Sequence, residues 1–220
     1  MPETRSPIRL ILVGLLACTG MIHANLLSVA GHAQEIAHVA GKTAAEYTAL
    51  LNSPQREVRL RAARSLARFG DQTAPQLRKT LSHSDPAMRY IAAEALGDLG
   101  GDSLLESIDQ LTELQQNDEM HSVRLAASYA LCRAGKLDRP LQFMIKTLDY
   151  PERGMACASA FLIGQIGPSA IEAKAALEKT LDANRPGTKG GDYHLGGEAI
   201  NALRKLEAAT TAQTQSPQKN

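Results

Sequence analysis

Between residues 44 and 207 apolar residues recur at steps of three and four, and no stretch alternates polar and apolar as a half-buried strand would. The clearest part is a 13-residue phrase that returns along the chain. It reads VRLRAARSLARFG from Val58 to Gly70, MRYIAAEALGDLG from Met88 to Gly100, and VRLAASYALCRAG from Val123 to Gly135. Two weaker copies follow, MACASAFLIGQIG from Met155 to Gly167 and LGGEAINALRKLE from Leu195 to Glu207. The first, fifth, ninth and twelfth positions of each are mostly apolar or small, which traces one stripe down a helix. At the fifth position stand Ala62, Ala92, Ala127, Ser159 and Ala199, small enough to let neighbouring helices approach.

A second set of apolar segments alternates with the phrases. They run from about Ala44 to Leu51, Pro75 to Leu81, Leu104 to Leu114, Pro140 to Leu148 and Ile171 to Leu181. Turn signals follow them at Ser53-Pro54, Asp85-Pro86, Asn117-Asp118 and Tyr150-Pro151, and Gly70, Gly100, Gly135 and Gly167 end the phrases. The copies start 30, 35, 32 and 40 residues apart, the spacing of a two-helix unit. The expected fold is all-α: an α-solenoid of about five antiparallel helix pairs over residues 44–207. Each pair has two apolar faces and must stack on its neighbours to bury both. The polar tail, residues 208–220, has too few apolar residues to pack and is expected to be disordered.

Residues 1–33 read as a leader. Arg5 and Arg9 precede an apolar run from Leu10 to Ile22, and Gly31-His32-Ala33 offers a small-x-small cleavage pattern before Gln34. Two other readings of the segment stay open: lipidation at Cys18 within Leu15-Leu16-Ala17-Cys18, and an uncleaved span from Leu10 to Ala30. Each places the protein outside the cytoplasm, in the periplasm or cell envelope, with the membrane touched only through this segment. Residues 34–43 then serve as a linker. The chain carries 24 Lys+Arg against 23 Asp+Glu, and removing Glu3, Arg5 and Arg9 leaves 22 of each. A neutral chain has no excess of positive charge to release counterions, so no nucleic-acid partner is expected.

The phrase Asp85-Pro86-Ala87-Met88-Arg89-Tyr90-Ile91-Ala92-Ala93-Glu94-Ala95-Leu96-Gly97, closed by Leu99-Gly100, resembles the HEAT repeat of the type found in phycobilin lyases. The second and third copies in succession are also similar to the helical extension at the C-terminus of some secreted bacterial sulfatases. The sulfatase nucleophile motif, Cys-x-Pro-x-Arg, is missing, since Arg133-Ala134 and Ala158-Ser159 follow Cys132 and Cys157. The HEAT resemblance implies a ladder between repeats, made by an Asp in each turn and an Arg at the start of the second helix. Asp85 with Arg89 and Asp118 with Arg124 match it, and Arg59 matches with Ser53 in place of the acid. Ala156 and Gly196 stand where the last two arginines belong, which weakens the ladder toward the C-terminus.

Positions four, seven and eleven of each phrase lie away from the core stripe and are expected to line a concave face. The candidate partner-binding residues there are Arg61, Arg64 and Arg68, then Glu94 and Asp98, then Tyr129 and Arg133, then Phe161 and Gln165. Mixed charge with Tyr and Arg suits a protein partner. Glu94 and Asp98 are four apart on one open helix face, whereas acid–base pairs work across a cleft between separate elements. The histidines form no metal-ligand spacing, and the glycine-rich loop from Asn184 to Gly197 lacks the Gly-Lys-Ser/Thr order of a phosphate loop. That loop reads as a flexible insertion. Cys132 and Cys157 are expected to be buried free thiols. The sequence thus predicts a non-catalytic scaffold that binds another protein and needs no metal or cofactor; an accessory role beside a lyase or a secreted hydrolase is the alternative.

Overall fold

The computed structural model describes residues 37–185 and 187–214, and these are helical with no β-strand. The leader reading of residues 1–33, with Cys18, lies outside the described residues. Five antiparallel pairs follow one another: α1 (Ala44–Leu50) with α2 (Arg56–Leu66), α3 (Ala74–Thr80) with α4 (Pro86–Leu99), α5 (Gly101–Leu105) and α6 (Ile108–Asn117) with α7 (His121–Arg133), α8 (Asp138–Thr147) with α9 (Arg153–Ile166), and α10 (Lys174–Ala183) with α11 (Tyr193–Thr214). The 3-10 segments Ala67–Thr73 and Gly167–Ala173 lead into α3 and α10. The described chain is an α-solenoid.

Local chemistry sets the helix ends. Thr43 forms a capping box with Glu46 at the start of α1, and the Asp85 side chain accepts from Ala87 N at 3.0 Å just before Pro86 opens α4. At the other end Gly100 (φ 68°) and Gly167 (φ 73°) take the left-handed turn that stops α4 and α9. The third repeat has its first helix broken in two at Ser107, whose hydroxyl donates to Ser103 O at 2.8 Å. The extra turn accounts for the 35-residue spacing there.

Two predicted boundaries move. Val39 is buried, exchanges backbone hydrogen bonds with Lys42 at 2.9 and 3.1 Å, and its carbonyl accepts from Tyr47 Oη at 3.0 Å. Residues 37–43 therefore belong to the first layer rather than to a linker. At the other end α11 continues past Glu207 to Thr214; the rest of the tail lies outside the described residues.

The five fifth-position residues are all buried, but the tightest crossings lie at position ten. A Cβ on Gly97 of α4 would sit 2.9 Å from Tyr129 Cε1 and 3.0 Å from Ala130 Cα on α7; one on Gly164 of α9 would sit 3.0 Å from Ala202 Cα on α11. Between α7 and α9 the corresponding residue is Cys132, facing a repeat that carries Leu162 where the second, third and fifth copies carry Ala95, Ala130 and Ala202. Larger side chains keep these helices apart, and α7 and α9 meet over a shorter stretch than α4 and α7 or α9 and α11. Helix α7 feeds two cores. Ala126, Ala127, Ala130 and Leu131 pack with the N-terminal layers, while Leu125, Tyr129 and Cys132 pack with the C-terminal ones. Cys132 and Cys157 are free and buried, and burial pushes the Cys132 thiol up to about 12.

Candidate partner-binding face

The second helices α2, α4, α7, α9 and α11 present positions seven and eleven along one face, and the neighbouring layer decides how much of each side chain stays outside. On α2, Arg61, Arg64 and Arg68 are exposed, and none has an ion pair among the described residues. On α4, Asp98 is exposed and Glu94 half-buried, with the Tyr90 hydroxyl donating to Glu94 Oε1 at 3.4 Å. Burial and the Asp98 charge hold the Glu94 carboxyl above the usual range, against the smaller opposing pull of Tyr90 and Arg64.

Tyr129 does not belong to the accessible surface. It is 1% exposed, its ring lies in the notch left by Gly97, and its hydroxyl donates to Asp98 Oδ1 at 2.5 Å. Burial first, then the Asp98 bond, pushes its phenol well above the ordinary value. Phe161 holds the same position in the next repeat, yet is 43% exposed, because Cys132 fills the place where α4 has a glycine. Glycine at position ten followed by an aromatic at position seven of the next copy is the sequence signal that separates the two cases. Arg133 is exposed and donates to Gln165 O at 3.2 Å; Lys205 donates to Gln165 Oε1 at 3.2 Å and lies 5.7 Å from the Phe161 ring centre. The exposed residues thus run from bare arginines through carboxylates to an aromatic flanked by cations.

One rung of the ladder joins successive repeats through Arg89 and Asp118, whereas Arg59 and Arg124 meet no carboxylate among the described residues. Arg89 Nε and Nη2 bind both oxygens of Asp118 at 2.7 and 3.0 Å, and Nη1 donates to His83 O and Ser84 O. Asp85 is held by Arg56 at 2.7 and 3.1 Å, not by Arg59, whose Nη1 donates to Ser53 O and Pro54 O. Arg124 donates from Nε to Gln115 O at 3.1 Å and stacks over Phe143 at 4.7 Å, with no carboxylate partner among the described residues. The fourth layer is tied after all, since Arg153 Nε lies 2.5 Å from Asp192 Oδ2. Arg56 and Arg153 stand two residues before their phrases, and Asp85 and Asp192 three before theirs, a register the sequence shows but the HEAT motif does not direct one to.

The loop 184–192 is laced rather than loose. Asn184 Oδ1 accepts from Asp192 N at 2.7 Å, Asp192 Oδ1 accepts from His194 N at 2.9 Å, and Gly196 lies within α11. His121 stacks on Tyr150 with ring centres 4.1 Å apart and contacts Thr147 Oγ1 at 2.9 Å. Among the described residues no group of His, Cys, Asp and Glu could hold a metal ion.

An array of helix pairs with this inter-repeat ladder defines a class of stacked helical repeat proteins. Residues 45–132 match the family model for HEAT repeats. Among solved structures, the crystal structure of an engineered protein from the Northeast Structural Genomics Consortium is similar at 20% identity and a TM-score of 0.47, over 75% of this chain and 79% of that one. No curated protein matches.

Glu94→Gln is expected to raise the melting temperature at neutral pH, by about 1–2 °C because water still screens part of the carboxylate. Folding raises this pKa, so the native carboxyl is least costly below its unfolded value, and the cost grows as pH rises through the folded one. The gain should therefore vanish near about pH 4. Thermal melts of both chains at the two pH values check it.

Proposed function

We infer that the protein is a non-catalytic scaffold that holds another protein on its second-helix face, and that it does so outside the cytoplasm. HEAT repeats commonly mediate protein–protein interaction, and the observation that carries the reading here is the arginine row on α2. Arg61, Arg64 and Arg68 are three and four residues apart on one exposed face, with no ion pair among the described residues. A partner bearing carboxylates on one side would match them, and Phe161 supplies an exposed aromatic further along the face. The leader-like sequence of residues 1–33 supports the envelope placement.

The test is crosslinking and recovery from an envelope fraction with the natural chain and with Arg61→Glu, Arg64→Glu, Arg68→Glu combined. One protein recovered by the first and lost by the second is expected; purified, it should bind the variant at least about tenfold more weakly. Equal recovery by both chains sinks the reading. The mass of the accumulated chain tests the location: it should lack the residues before about Gln34 or carry lipid at Cys18, and an unmodified full-length chain in the cytoplasm overturns the placement.

A further inference from the structure

A groove lies between the first helices of the third and fourth repeats. It measures about 680 Å³ between α6 and α8, beside the separation of α7 and α9, and adjoins a second hollow of about 470 Å³ lined by Gln115, Gln116, Asp138 and Arg139 as well. Two features of its lining are unspent. The Gln115 side-chain amide makes no hydrogen bond among the described residues and is still reachable from the groove. Arg124 is fixed by its Nε bond to Gln115 O and by stacking over Phe143, and its two terminal nitrogens have no partner among the described residues.

The preceding repeat shows what such an arginine takes. Arg89, its counterpart, is filled by the carboxylate of Asp118 and by two carbonyls. The corresponding acid of the next turn, Asp149, is 3.0 Å from Lys179 instead. Arg139 and Lys146 add two exposed cations to the groove, with no ion pair among the described residues; Asp138 and Glu172 are the acids that face it. The lining is thus net positive, and it continues into the second hollow, which suits a segment that passes through rather than a chain end.

We propose that the groove between α6 and α8 binds an extended acidic peptide segment of a partner protein, with one side-chain carboxylate on the Arg124 fork and the adjoining peptide group on the Gln115 amide. A guanidinium fork pairs a carboxylate through two parallel bonds, and a primary amide both donates to and accepts from a peptide unit. The site is separate from the second-helix face and stands whether or not that face binds a partner.

Fluorescence anisotropy with a labelled ten-residue peptide of glutamates spaced by glycine and serine, titrated with the full chain, tests it. A peptide with glutamine in place of every glutamate is the control, as is the chain with Arg61→Glu, Arg64→Glu, Arg68→Glu. The acidic peptide should bind, the glutamine peptide at least about tenfold more weakly, and the arginine-row variant as tightly as the natural chain. Arg124→Lys, which keeps charge but not the fork, and Gln115→Leu should each weaken binding about tenfold or more. Should either disturb folding, the exposed pair Arg139→Gln, Lys146→Gln must still lower affinity by about threefold or more. Equal binding of the two peptides, no binding at millimolar chain, or groove variants that bind like the natural chain overturns the proposal. So does loss of binding in the arginine-row variant, which would move the acidic ligand to α2. A dimer in sedimentation that Arg139→Gln, Lys146→Gln dissociates would make a second copy the occupant, and would overturn it too.

Discussion

Asp118→Ala is expected to cost about 3–5 kcal/mol, the range for breaking one side of a buried pair. The two partners are 11% and 3% exposed at their side chains, and both guanidinium–carboxylate bonds are made. Removing the acid leaves Arg89 charged, poorly solvated and held only by two carbonyls, and it also removes the acceptor for Met120 N at the entry to α7. The neighbouring rung gives the internal contrast. Arg56 is 54% exposed and its ion pair is screened by water, so Arg56→Ala should cost far less than Asp118→Ala. Burial by itself would raise the Asp118 pKa, but Arg89, the Met120 N–H and the nearby Arg124 charge outweigh it and hold the carboxyl below its usual range. A depressed acid pKa stabilises above the unfolded value of about 3.9 and loses its effect as pH falls through the folded one. The difference between natural chain and variant should therefore shrink below that pH. Urea unfolding at several pH values measures both effects; an Asp118→Ala chain as stable as the natural one at neutral pH would remove the rung from the account of the fold.

Gly97→Val should cost about 3 kcal/mol, through overpacking at the α4–α7 crossing. The first side-chain carbon already meets Tyr129 Cε1 at 2.9 Å and Ala130 Cα at 3.0 Å, one a ring locked in a notch and the other backbone. Gly97→Ala is a milder case, since better helix propensity returns about 1 kcal/mol against an overpacking cost of about 1–3 kcal/mol. Gly154, on α9 with open space around its Cβ position, is the control: Gly154→Ala should be neutral or stabilise by up to about 1 kcal/mol. If Gly97→Val melts with the natural chain, α4 and α7 do not cross as closely as described.

The helix pairs, their order and their turns were legible because helical periodicity, caps and glycine stops are local properties. Val58, Ala62, Leu66 and Phe69 lie on one stripe whatever surrounds them. The acids and arginines of a ladder were legible as residue types. Their pairings were not: Arg56 and Arg59 are one turn apart, and only the position of the next layer decides which of them reaches Asp85. The same holds on the second-helix face. Position seven is outward by angle in every repeat, yet Tyr129 is covered while Phe161 is open, because that depends on how near the preceding helix comes. Gly97 lets α4 close over Tyr129, and Cys132 keeps α7 away from α9; beside that separation lies the groove in which the Gln115 amide and the terminal nitrogens of Arg124 make no hydrogen bond among the described residues. The sequence by itself determined which residues share a helix face. The spacing of the layers decided which of them water or a partner can reach, because accessibility depends on the distance to a neighbouring helix that the periodicity of one helix does not specify.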